Sequence, residues 1–446
     1  MNMNVFRQTW DVLFNPNTSG RRTLGDWLSQ AEFLFLLLFA FFLPLREAPK
    51  TIFWALYVCT WLVNRFREGA FGGKWSVWDS LSLAWVGSGI LTAVFAGIRM
   101  GHGKEWFALN DTVMYMSLFL CLWRAGYKTV HWTALFIMLG FSCLLTEGEG
   151  FWLWKVAHLN DALELKSVGH VNHSAIYLTI CFGIAMSFAL SYWASLSLRA
   201  RVAALLAAGL LLVGVFMSDS RAAVGVAVIL FLVLLVFGMG VAGLGKVKAG
   251  AALGFLAVAL LLFGNGAFQK HRINVNANNV LSHRDKIWKR GMVAWKVHPV
   301  FGVGVGNFRQ ITEEQLKQWL ELQGRPYVEA EFYPAVSHSH NIYVNTLVER
   351  GVVGMFSLFV LLAAWAASLL RYLPRKGDSR ENLMFWGASF SGWIVTVVVG
   401  FVNTTLHHEH ALLAMMTLAG WLAWRGRQAG QSGQPEDVCV AAVAVG

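Results

Sequence analysis

The sequence predicts an all-α polytopic membrane protein, with about 12 transmembrane helices and one large helical loop between spans nine and ten. Three observations predict it. Of 446 residues, 56% are hydrophobic and only 14% charged, and mean hydropathy is +0.52, whereas soluble domains carry about 25% charged residues. Apolar runs of about twenty residues, the length that crosses a bilayer, recur along the chain. A single long stretch, 265–340, interrupts them with basic residues and histidines. Lipid offers the backbone no hydrogen-bond partner, so the runs must be helices. A β-barrel would instead alternate apolar and polar residues over segments of about ten.

The runs lie at 31–45, 51–64, 77–98, 107–123, 130–146, 174–196, 202–218, 222–242, 249–264, 341–370, 383–403 and 408–424. Nine fall within 1–264 and three within 341–427. Residues 428–446 begin Gly/Gln/Ser-rich and read as a disordered cytoplasmic tail. Short loops rich in lysine and arginine stay in the cytoplasm. With the N-terminus inside, 18 of these residues fall in inner segments and 7 in the short outer ones. Both termini are then cytoplasmic. The large loop faces outward, which is the periplasmic side of a Gram-negative inner membrane. The first thirty residues are too polar for a cleavable leader, so the first span serves as its own anchor.

The formal charge of +11 combines this inner bias with basic residues on the outer side. The latter suit anionic lipid or a phosphate-bearing substrate, and an integral membrane chain is not a nucleic-acid binder. Cys59, Cys121, Cys143, Cys181 and Cys439 leave the large loop without a thiol. No disulfide framework or cysteine-based zinc site is implied.

Within the loop, Ser282 reads as the N-cap of a helix from about His283 to Val297. Ile287, Trp288, Gly291, Met292 and Trp295 share one apolar face. Asp285, Lys286, Lys289, Arg290 and Lys296 lie elsewhere, the basic amphipathic pattern of a membrane interface. Lys289 and Arg290 are candidate substrate contacts, and Pro299 ends the helix. Gly302, Gly304 and Gly306 read as a turn; no Gly-Lys-Ser/Thr follows, so they are not a nucleotide-binding loop. Thr312-Glu313-Glu314-Gln315 fits a capping box. It opens a second helix with Leu316, Trp319 and Leu320 on one face, a lid or shoulder over the site.

His338-Ser339-His340-Asn341 leads into the tenth span. Asn341, Asn345 and Glu349 continue it as a polar stripe, and such groups face a cavity or the bundle interior. A neutral imidazole there can take a proton from a hydroxyl. Arg221, in Ser218-Asp219-Ser220-Arg221, is squeezed between two apolar runs. It needs a partner: Asp219 on one reading, a phosphate gripped through two parallel hydrogen bonds on the other. The same choice applies to Arg284 beside Asp285. His407-His408-Glu409-His410 forms a second histidine cluster on the outer side. Two such clusters could bind zinc, but the spacing matches no tight motif, so no metal is assigned. Trp152, Trp154 and Lys155 could contact glycolipid headgroups.

Several of these motifs together resemble a known family over about 215–360. They are Ser220-Arg221 opening a span, Arg284 with Trp288, the His-Pro-x-x-Gly-x-Gly-x-Gly-Asn-Phe run at 298–308, and His340-Asn341 before Glu349-Arg350-Gly351-Val352-Val353-Gly354. In order and spacing they resemble the O-antigen ligase and polymerase superfamily. The resemblance implies a glycosyltransferase acting at the periplasmic face. It takes O-antigen glycan from undecaprenyl diphosphate and passes it to an outer-core sugar hydroxyl of lipid A–core in lipopolysaccharide biosynthesis. It implies membrane lipids as further partners, no cofactor and no metal, and it fixes no oligomeric state. The family's essential arginines map to Arg221 and Arg284 and its essential histidine to His338. His340 heads the more widespread His-Asn pattern, and His340 and Asn341 join the candidate substrate contacts. The implied chemistry is inverting displacement, with His338 as general base and the arginines on the leaving diphosphate.

Two rivals stand beside this reading. One is an O-antigen polymerase or a protein O-oligosaccharyltransferase of the same superfamily, with a different acceptor. The other is a secondary transporter. Twelve spans suit a transporter, but no pair of matching broken helices is evident. Asp79, Asp111 and Glu349 are the main acids available for ion coupling.

Overall fold

Each apolar run of the sequence falls on one helix. The structure, a computed structural model, describes residues 24–432 apart from 101–103, 219, 242–244, 266–268, 270–271, 274, 276–280 and 335. Among the described residues, nine helices precede the loop: α1 (Leu24–Phe42), α2 (Glu47–Glu68), α3 (Val77–Met100), α4 (Glu105–Arg124), α5 (Thr129–Lys155), α6 (Val171–Tyr192), α7 (Leu198–Met217), α8 (Arg221–Val241) and α9 (Lys246–Phe263). The loop carries α10 (Arg284–Val297) and α11 (Glu313–Leu322). α12 (Ile342–Arg371), α13 (Arg380–Val398) and α14 (His408–Ser432) follow.

Among the described residues, eight helices are long and apolar enough to cross a membrane: α1, α3, α5, α6, α7, α8, α12 and α13. The chain is therefore a multi-pass membrane protein. α9 contributes a shorter apolar stretch, Lys248–Phe263. α2, α4 and α14 are more polar, and their expected spans are not among the eight. At α14 the apolar stretch is only residues 411–424, bounded by His408-Glu409-His410 and by Arg425 and Arg427, and it is buried throughout. A helix shielded by protein can hold Thr417 and Gly420 where a lipid-facing one holds leucine.

α6 and α13 pack closely beside it. Gly183 and Ser187 on α6 meet Ser391 and Gly387 on α13, and a Cβ on either glycine would run into the opposite serine hydroxyl. Small residues four apart on both helices let the backbones approach, which is how helices associate in lipid.

The glycine run 302–306 does more than turn. α12 breaks at Gly351, at φ 62° and ψ −162°, a region essentially reserved for glycine. The break frees the carbonyls of Val348 and Glu349 and the amides of Val352 and Val353 from their helical partners. The loop takes up all four. Val303 and Gly304 amides donate to Val348 O (2.8 Å) and Glu349 O (3.0 Å). The Val352 and Val353 amides donate to Pro299 O (2.9 Å) and Val300 O (3.3 Å). Gly302, Gly304 and Gly306 all have positive φ. A Cβ on Gly302 would lie 2.5 Å from Val348 O and 2.7 Å from Arg350 N.

The flanking side chains lock this joint. Glu349 accepts from Phe308 N at 3.3 Å. Arg350 is buried, donates to Trp85 O (3.0 Å) and Thr112 Oγ1 (2.7 Å), and stacks over the Trp85 ring. Gly351→Ala should therefore destabilise the protein. Backbone strain alone costs about 1–3 kcal/mol, and the new Cβ would also press on the Val300 carbonyl. Thermal unfolding checks this against Gly225→Ala, where a Cβ meets open space; equal stability of the two variants would contradict it.

The loop has a small core of its own. Ile287, Val293 and Ala294 of α10 pack with Leu316, Trp319 and Leu320 of α11, with Phe308, and with Val348 of α12. The apolar side of α10 thus faces protein, and α11 is fastened to it. The capping box at Thr312 forms as expected. Two expectations are corrected. Ser282 does not cap α10: His283 holds that position at φ 61° with no side-chain cap. Ser282 itself is left-handed at φ 52° and faces Arg221. The tail begins later than expected, because α14 continues to Ser432. The expected disorder of 433–446 falls outside the described residues.

Candidate functional site

The His338-Ser339-His340-Asn341 turn is held from three sides. Trp288 of α10 donates from its indole to Ser339 O at 3.0 Å. Ser339 is buried, donates from its hydroxyl to Asn341 O (2.7 Å), and its amide donates to Asn345 Oδ1 (3.1 Å). Asn341 caps α12 through the Tyr343 and Val344 amides, both 2.9 Å from its Oδ1, and its Nδ2 donates to Phe401 O. His340 adopts φ 52°. A non-glycine residue in this region stores strain that the surroundings must impose. The polar stripe therefore fastens the loop to the bundle.

This turn brings the His338 and His340 rings to 4.3 Å between centroids. His338 Nδ1 lies 2.8 Å from Ser337 Oγ, and its Nε2 is buried without a hydrogen-bond partner. When Nδ1–H donates to Ser337, Nε2 presents a lone pair. Burial pushes the His338 imidazole down to about 2, with further lowering by His340, His173 and His407. Burial also pushes His340 down to about 4, followed by the nearby Arg284 charge.

The histidine cluster is larger than the sequence suggested. His173, at the start of α6, lies 5.9 Å from His338, 6.4 Å from His407 and 5.1 Å from His410, ring to ring. His170 lies 6.1 Å from His173, and His407 lies 6.5 Å from His338. Segments far apart in sequence converge here. His170 and His173 went unremarked in the sequence. Their signal was a His-x-x-His placed, like His338-x-His340, at the start of a span.

The two arginines meet beside this turn. Arg221 opens α8 and donates to Ser282 Oγ at 3.4 Å. Arg284 opens α10; burial and then the Arg221 charge lower its proton affinity. Arg284 makes no ion pair among the described residues, and its Nε is buried without a partner. Asp219, one of the two partners considered for Arg221, lies outside the described residues. Two adjacent guanidinium groups beside an imidazole form a site suited to a polyanion.

The other expected residues sit differently. Arg290 is buried and donates to Tyr333 O (3.2 Å) and Ile311 O, so its donors tie α10 to the loop backbone. Lys289 is exposed, 3.9 Å from Glu331. Asn341 is the helix cap described above. Trp152 is exposed, and Lys155 Nζ lies 3.5 Å above the Trp154 ring.

Residues 206–359 match the family model described as O-antigen ligase. That range holds Arg221, Arg284, His338 and His340, and leaves out His170, His173 and the 407–410 cluster. The chain is also similar to the exopolysaccharide production protein ExoQ of Rhizobium meliloti (strain 1021), 31% identical over 159 residues. The match spans 35% of this chain and 31% of that protein.

Proposed function

We propose that the chain, whose residues 206–359 match the O-antigen ligase family model, is a member of the O-antigen ligase/polymerase superfamily and an O-antigen ligase. It transfers O-antigen glycan from undecaprenyl diphosphate to an outer-core sugar hydroxyl of lipid A–core. The observation that carries the reading is the meeting of Arg221 and Arg284 with the His338–His340 pair. The site lies at the periplasmic face of a bacterial inner membrane, with both termini in the cytoplasm, as the lysine and arginine distribution indicates.

The acceptor oxygen attacks the anomeric carbon as the bond to the diphosphate oxygen breaks, which inverts the centre. The electron pair leaves with the diphosphate, where Arg221 and Arg284 meet the developing charge, so the step needs no metal ion. The acceptor proton passes to His338 Nε2, whose proton affinity rises once the donor's negative diphosphate occupies the site, and then to solvent. Arg290 is not assigned to this step, because it is buried and its two terminal nitrogens donate to the Tyr333 and Ile311 carbonyls. Lys289 and His340 remain candidates for contact with the glycan or diphosphate.

Depression of His338 to about 2 leaves the base neutral in the free enzyme at every working pH. The profile of kcat/KM should then be level from about pH 8 down to about pH 5. An inflection near the ordinary imidazole value of 6.5 would contradict the depressed proton affinity of His338 in the free enzyme.

A second reading is a polymerase of the same superfamily, favoured by the similarity to an exopolysaccharide production protein. Incubation of the purified protein with lipid-linked glycan, with and without lipid A–core, separates the two. A ligase forms product only with lipid A–core. A polymerase lengthens the lipid-linked glycan without it.

A further inference from the structure

We propose that Asp111, His407 and His408 form a binding site for one divalent transition-metal ion, of the class to which zinc and cobalt belong. The Asp111 carboxylate oxygens lie 3.7 Å from His407 Nδ1 and 3.8 Å from His408 Nδ1. One donor atom from each residue lies within 4.8 Å of the other two. Tetrahedral sites with bonds of about 2.0–2.1 Å hold their donors roughly 3.3 Å apart, so side-chain rotation, with no backbone movement, draws these three groups onto one ion.

The donors are already arranged for an ion. Both Asp111 oxygens accept from the His408 backbone amide, at 3.2 and 3.1 Å, which fixes the carboxylate against the start of α14. The His407 and His408 rings lie 3.6 Å apart between centroids. His407 Nδ1 is buried and has no hydrogen-bond partner. A buried polar atom in that state calls for a partner, and a metal ion supplies one. The His408 side chain is 53% exposed, which opens one side of the group to solvent. Lys50, the nearby cation, is engaged by Glu47 and Glu409 and leaves no uncompensated charge against a dication. Two imidazoles and one carboxylate select zinc, cobalt or nickel over magnesium or calcium, which prefer oxygen alone. Three protein donors leave a fourth position for water. The site borders the histidine cluster, since His407 lies 6.5 Å from His338 ring to ring, but the transfer step draws on neither Asp111 nor His408.

The test titrates Co²⁺ into full-length, untagged protein in lipid nanodiscs after EDTA treatment and removal of the chelator. Wild type should develop the visible ligand-field absorption of four-coordinate Co²⁺, saturating at one ion per chain and displaced by Zn²⁺. His408→Ala should weaken binding on the order of tenfold or more. That variant keeps the contact between Asp111 and the backbone, so α14 stays capped. Asp111→Asn should do the same, with folding checked by helical circular dichroism. Absence of a saturable band, or an equal band in His407→Ala/His408→Ala, would overturn the proposal. So would a band lost in His338→Ala/His340→Ala but kept in His408→Ala, which would place the ion on the neighbouring imidazoles.

Discussion

Arg284→Ala should lower kcat/KM for glycan transfer on the order of 10²–10³-fold or more, while the protein stays folded and inserted. The fold does not depend on this guanidinium. Arg284 makes no ion pair among the described residues, and its Nε is buried without a partner. Its position at the first residue of α10 accepts alanine readily. What is lost is a fixed positive charge where the diphosphate develops negative charge. Arg284→Lys should recover only part of the activity, because an ammonium keeps the charge and loses the planar fork. Arg221→Ala should resemble Arg284→Ala, since the Arg221 charge acts directly on Arg284. Steady-state kinetics with lipid-linked donor checks all three. Full activity in either alanine variant would remove the diphosphate clamp from the mechanism.

His338→Ala should lower kcat by about 10²–10⁴-fold, the range supplied by a general base, with little change in KM for the lipid-linked donor. The split matters. A merely structural histidine would change stability or donor affinity along with rate. His338 makes one side-chain hydrogen bond, to Ser337 next to it, and the turn itself is held by Trp288, Ser339 and Asn341. Removing the imidazole therefore leaves the turn in place. Unchanged kcat in His338→Ala would shift the base to His340 or remove a base from the step.

The helices were legible because each burial pattern is local. An apolar run of sufficient length announces a helix wherever its neighbours lie. The capping box at Thr312 and the stop at Pro299 were legible for the same reason. The joint at Gly351 was not. Gly302–Gly306 reads as a turn, and nothing nearby reveals that its amides replace helical partners of Val348 and Glu349 almost fifty residues on. Arg290 read as a candidate substrate contact because its charge is evident in sequence, while the Tyr333 and Ile311 carbonyls to which it donates come from other loop segments. The site was half legible. Arg221, Arg284, His338 and His340 each stood out, but the convergence of His170, His173 and His407 on them depends on how α6, α12 and α14 meet.

The central claim is a base-assisted glycan transfer whose leaving group is neutralised by arginines. Purified wild-type protein, given undecaprenyl-diphosphate-linked glycan and lipid A–core in EDTA, tests it most directly. Formation of glycosylated lipid A–core with the chelator present is the predicted result. No transfer to lipid A–core in EDTA, with transfer restored by a divalent cation, would contradict it.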